Sequence, residues 1–155
     1  MLRGTSIALA AAAAAVAIAG CGAKENDLAP AACLVTNNGY LRALGRAPGE
    51  VRLAGTTPIS DCLVPDQDGG QLANIGQEMI IAATKLNGEA RQGSEPATLQ
   101  LGYLVGAISK GADSIHTDLV RRLNSAAQFS ETGTTLPASF QRAFGRGYAA
   151  GHTTG

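Results

Sequence analysis

The stretch SEPATLQLGYLVGAISKG, residues 94–111, decides the fold. It opens on Ser94-Glu95-Pro96, a serine able to cap a helix and a proline in the first turn, where its missing N–H costs least. Leu99, Leu101, Tyr103, Leu104, Val105 and Ile108 then occupy most sides of the helical wheel. A helix apolar nearly all round belongs in the middle of a domain, so this segment is expected to be the most buried element. Its apolar run, 97–108, is well short of the roughly 20 residues that cross a bilayer. Gly102 and Gly106, four apart, therefore indicate close backbone approach of a neighbouring helix inside the domain, not pairing within a membrane.

On the N-terminal side of this stretch, Leu72, Ile75, Met79, Ala82, Leu86 and Ala90 recur at helical spacing from Gly70 onward. Asp66 and Asp68 stand where the helix dipole favours anions, and Gly93 ends the run. On the C-terminal side, Asp113-Ser114 caps a third helix with Ile115, Leu119, Leu123 and Ala126 as its stripe, and Asp118 and Arg122 are placed to pair outside at i,i+4. Beyond the loop Glu131–Thr135, Pro137 opens a fourth helix with Phe140, Ala143, Phe144, Gly147 and Tyr148 on one face. The tail from His152 to Gly155 is expected to fray. Short connections favour antiparallel neighbours. The class that follows is all-α: a small bundle of three to four helices, about residues 71–150, behind an irregular N-terminal segment. In that segment Asn37-Asn38-Gly39 is a turn signal, Tyr40 to Leu44 can form a short helix, and Val51-Arg52-Leu53 alternates like a short strand.

The N-terminus carries a different message. Met1-Leu2-Arg3 is followed by an uninterrupted small-apolar run from Ile7 to Ala19, 13 residues long, and then by Gly20-Cys21. That run is shorter than the roughly 20 residues of a permanent transmembrane helix. Ile18-Ala19-Gly20-Cys21 behind a positive n-region and an apolar h-region resembles the lipobox signal peptide of bacterial lipoproteins. The resemblance covers residues 1–21. It implies cleavage before Cys21, a diacylglyceryl group on the Cys21 sulfur, and a mature protein held at a membrane by its acyl chains. Residues 1–20 are then signal peptide, 21–32 a flexible tether of small and polar residues, and 33–155 a single mostly helical domain. Gly22, rather than Asp, after the cysteine is compatible in this class with transfer to the outer membrane of a two-membrane bacterium. In a one-membrane bacterium the destination is the outer leaflet of the cell membrane.

With Cys21 assigned to lipid, Cys33 and Cys62 remain, an even pair in an oxidising compartment. A disulfide between them closes a loop of about 30 residues, contributing roughly 3 kcal/mol on the chain-entropy view. No CxxC spacing points to redox chemistry, and no companion ligands point to metal.

Composition narrows the function further. Removing Arg3 from the 12 basic side chains leaves 11 against 12 acidic ones, a mature charge of −1, which argues against general nucleic-acid binding. Aromatic residues make up only 4% and tryptophan is absent, which disfavours sugar stacking. Glu78 and Glu89 lack the Glu-x-x-His of a di-iron bundle, and Asp61, Asp66 and Asp68 lack EF-hand spacing. No cofactor or metal is implied, and no catalytic set assembles. His116 reads as an exposed helix residue without a nucleophile motif beside it. With Arg121, Arg122, Arg142 and Arg146 it forms the one weak candidate surface site, a basic bias on the last two helices. The expectation is a membrane-anchored, non-catalytic binding module whose partner is an envelope protein or other envelope component. The alternative is a small-ligand binder or envelope enzyme with an inter-helix pocket near His116.

Overall fold

The computed structural model describes residues 27–128 and 136–155. Residues 1–26, which hold the expected signal peptide, Cys21 and the start of the expected tether, lie outside the described residues, as does the stretch 129–135 with the expected loop. Among the described residues five α-helices form: α1 Asn37–Leu44, α2 Gly69–Arg91, α3 Glu95–Gly111, α4 Thr117–Gln128 and α5 Ala138–Thr154. Among the described residues there is no strand. Leu53 makes only an isolated bridge to Thr57 where a short strand was expected.

The helix boundaries are those that local chemistry dictates. The Asp68 side chain accepts from the Gln71 N–H at 2.9 Å to cap α2, and Ser94 accepts from the Ala97 N–H at 3.3 Å to cap α3. Gly93, at φ +93°, closes α2 in the left-handed region. There the Ser94 N–H returns to the Glu89 carbonyl at 3.1 Å and the Gly93 N–H to Ala90 at 3.0 Å, the paired bonds of a Schellman cap. Three residues thus reverse the chain from α2 into α3.

α3 is the central element, buried from Ala97 and Thr98 through Ile108 on nearly every side. On one flank it meets α2, through whose inner face Ile75, Met79, Ala82, Leu86 and Ala90 are buried as the periodicity requires. It also meets α5, along the most extensive helix–helix contact among the described residues. A methyl added at Gly102 or Gly106 would overlap the backbone carbonyls of Phe144 or Tyr148. Reciprocally, one added at Gly147 or Gly151 would overlap the carbonyls of Leu99 or Tyr103, and Gly155 lies against Ala107. The pairs Leu99–Gly147, Tyr103–Gly151 and Ala107–Gly155 advance together, so α3 and α5 run parallel, backbone against backbone. α4 supplies the return path and packs Leu119, Leu123 and Ala127 against α2 and α3.

Four local expectations need correction. Asp118 pairs with Arg121, three residues on, instead of Arg122. Ile115, assigned to the apolar stripe of α4, is 42% exposed because it lies in a 3-10 turn, Ser114–His116, ahead of the α-helix proper. The tail does not fray: α5 continues to Thr154, and Gly155 is buried. Ser60 Oγ donates to the Gly155 carbonyl at 2.6 Å and Lys110 Nζ donates to it at 2.8 Å, while Arg52 reaches the Thr154 carbonyl at 3.2 Å. Finally, Asp27 and Ala29, expected in the flexible tether 21–32, are already packed against the domain. Asp27 bridges Gln67, Ala29 is buried, and its N–H donates to Gln71 Oε1 at 2.7 Å.

The N-terminal lobe is held to this frame by the Cys33–Cys62 disulfide, both of whose residues are fully buried. Val51, Leu53 and Ile59 extend the core into the lobe. The Tyr103 hydroxyl joins three elements by meeting the Val51 N–H at 3.3 Å and Thr154 Oγ1 at 2.9 Å. The disulfide spans 29 residues. Replacing both cysteines with serine should lower stability by roughly 3–4 kcal/mol on the loop-entropy model. Thermal unfolding of wild type with and without reductant, beside the double variant, checks this. Reduction should bring the wild type down to the variant and leave the variant itself unmoved.

Candidate functional site

The residues nominated from the sequence do not converge. Arg121 is exposed and paired with Asp118 on its own helix; Arg146 on α5 donates to Glu95 of α3 at 2.6 Å. Arg142 is exposed on α5, and Arg122 edges a shallow depression of about 220 Å³ between α2 and α4, lined also by Leu72, Gly76 and Leu119. Two of the four arginines thus have carboxylate partners, which breaks up the basic face.

His116 is not exposed at all, contrary to the sequence expectation: its ring is 0% accessible. The reason is the polar cluster beneath it. The Gln67 amide nitrogen donates to the Cys62 carbonyl at 3.3 Å, leaving Gln67 Oε1 to accept from His116 Nε2, also at 3.3 Å. On the other edge of the ring, Nδ1 lies 3.1 Å from the Asp113 N–H and 2.9 Å from the Asp113 carboxylate. The first contact suits a neutral ring and the second a protonated one, so a single protonation state uses one of them. Asp113 in turn accepts from the Ile115 N–H at 3.0 Å, completing a reciprocal cap in which histidine takes the role usually played by glutamate. Both ring nitrogens are thereby engaged: Nε2 joins the start of α4 to the turn before α2, and Nδ1 closes its own turn on Asp113. His116 does not line the depression beside it.

A second polar cluster joins α1 to α2. The Glu78 carboxylate accepts from the Asn37 N–H at 2.5 Å and from Asn37 Nδ2 at 2.9 Å, capping α1 from another helix. Lys85 Nζ donates to Asn37 Oδ1 at 2.7 Å. The side-chain and backbone hydrogen bonds from Asn37, aided by Lys85, hold the Glu78 carboxyl below the usual carboxylate range. Under the same lobe, burial pushes the Tyr40 hydroxyl upward, with the Glu78 charge adding to it, and that hydroxyl donates to the Cys33 carbonyl at 2.8 Å.

A carboxylate whose pKa is depressed by folding contributes stability that is present above its unfolded pKa and lost as pH falls through the folded one. Glu78→Gln should therefore be less stable than wild type near neutrality, and the gap should narrow as acid protonates Glu78. Unfolding midpoints of both proteins from neutral to acidic pH measure it. A gap independent of pH would contradict the role of the charge.

A depression of about 150 Å³ lies beside Glu78, lined by Cys33, Leu34, Val35, Thr36, Asn74 and Ile75. A wider apolar one of about 370 Å³ is lined by Ala127, Leu136, Phe140, Gln141 and Phe144. Among the described residues no group of three or more histidine, cysteine, aspartate or glutamate side chains is placed to hold a metal ion, and no helix is long and apolar enough to cross a membrane. Sequence reasoning missed Gln67, Glu78 and Asn37 as organising residues. Each acts on an element distant in the chain, and none carries a local signal beyond the Asn37-Asn38-Gly39 turn.

The chain matches no family model, no curated protein and no solved structure with which it was compared.

Proposed function

We propose that this is a membrane-anchored envelope lipoprotein whose helical domain is a non-catalytic interaction module. The observation that carries the reading is Ile18-Ala19-Gly20-Cys21 at the close of the 13-residue apolar run 7–19. The buried Cys33–Cys62 disulfide supports it, because such bonds persist in oxidising compartments outside the cytoplasm. The acylated Cys21 is the anchor, on the outer leaflet of the cell membrane or at the outer membrane of a two-membrane host. The depressions beside Glu78 and between α2 and α4, of about 150 and 220 Å³, are smaller than ordinary small-molecule pockets, which supports contact there with an envelope protein or other envelope component. The one buried imidazole, His116, is engaged on both edges within the fold. Metabolic labelling with a fatty-acid analogue tests the anchor: wild type should be marked and Cys21→Ala should not. Equal labelling of both would refute it.

A further inference from the structure

We infer that the N-terminal ledge of the domain lies directly on the bilayer surface, with Leu28 and Leu34 as its contacts. This rests on the anchoring just proposed and adds an orientation to it. Five residues, 22–26, separate Cys21 from Asp27, which is already bridged to Gln67. Fully extended, six Cα steps reach only about 20 Å. An acylated Cys21 therefore keeps Asp27 within about 20 Å of the membrane surface, close enough for this end of the domain to rest on it.

From there the chain is laid along α2. The Ala29 N–H bonds Gln71 and the Asn37 N–H bonds Glu78, acceptors separated by roughly 10 Å of helix rise. On this short ledge stand the two most exposed large apolar side chains among the described residues, Leu28 at 72% and Leu34 at 54%. Ile115, the third, lies beside the depression at the N-terminal end of α2 and next to His116, the partner of Gln67. Only Tyr148, on α5, is elsewhere. Large apolar groups left in water next to a membrane tether have a ready cover in the interfacial region of the bilayer. The carboxylates nearby, Asp27, Asp66 and Asp68, do not favour an anionic surface. The contact is therefore apolar, and a zwitterionic membrane suffices for it.

The chain contains no tryptophan, so a single introduced indole is a clean reporter. Full-length acylated Leu28→Trp, Leu34→Trp and Tyr148→Trp variants are reconstituted in phosphatidylcholine vesicles containing lipid brominated near the headgroup end of its acyl chains. α5 packs on α3 and makes no extensive contact with α2, along which the ledge lies, so Tyr148→Trp serves as the control away from the ledge. Quenching at positions 28 and 34 should exceed that at 148 severalfold, with blue-shifted emission. Equal quenching in protein that carries its acyl mass and floats with the vesicles would overturn the orientation while leaving the anchor standing. Absence of acyl mass on Cys21 would overturn both. Emission at 28 and 34 already blue-shifted without vesicles, and insensitive to bromine, would mean that protein covers the ledge, and would overturn the bilayer as its occupant.

Discussion

Gly102→Ala and Gly147→Ala should each destabilise the domain by about 3 kcal/mol or more, the upper end of what over-packing ordinarily costs. The added methyl meets the Phe144 carbonyl in the first variant and the Leu99 carbonyl in the second. Neither obstacle is a side chain that can rotate aside. Relief requires the parallel α3–α5 pair to separate along its whole length, which also strains the Tyr103 hydroxyl's bond to Thr154 and the Ser60 bond to Gly155. Gly145→Ala and Gly88→Ala provide the contrast. Both positions are helical and exposed, and a methyl there meets nothing. Each should gain about 0.5–1 kcal/mol from helix propensity alone. Chemical denaturation of the four variants tests the seam by sign as well as size. If Gly102→Ala were as well tolerated as Gly145→Ala, α3 and α5 would not meet as described.

Leu104→Ala should cost about 2–5 kcal/mol through lost contacts and the cavity left behind. Leu104 is fully buried on the central helix, with Leu101 and Ile108 on the same side and their own side chains buried too. That is a large share of the roughly 5–15 kcal/mol that holds a domain of ordinary size. Arg122→Ala is the appropriate reference. Arg122 is exposed, and the Asp118 carboxylate is paired with Arg121, so the substitution should cost well under about 1 kcal/mol. Thermal unfolding of the two variants side by side gives the comparison. Greater damage from Arg122→Ala would reverse the facing assigned to α3 and α4.

Much of this architecture is legible without coordinates, and the readable parts share a cause. Caps and stops act within about one helical turn, so Asp68, Gly93, Ser94 and Pro96 mark the ends of α2 and the start of α3 on sight. Burial by periodicity is equally local: the spacing of Ile75, Met79, Ala82 and Leu86 specifies which face turns inward before any partner is known. His116 shows where such reading stops. Its neighbours in sequence make it an exposed helix residue, whereas Gln67, far away in the chain, draws it into the interior. Arg121 and Arg122 both stand in reach of Asp118, and helix geometry at i,i+3 and i,i+4 does not choose between them; the folded surface chooses Arg121.

The sequence by itself determined an all-helical domain, its central helix, the disulfide pair and the lipobox-like start. The helices and the lipobox-like start are written in short-range order, in residue type and spacing along one element, and the disulfide pair in the count of cysteines. Tertiary structure decided that Gly102 and Gly106 meet α5 in parallel register, that the chain's last residues dock under Ser60 and Lys110, and that residues 27–33 lie along α2 instead of hanging free. Those outcomes depend on which surfaces come together across dozens of intervening residues. A glycine announces only that there is room for a close approach; the identity of what approaches is a property of the assembled chain.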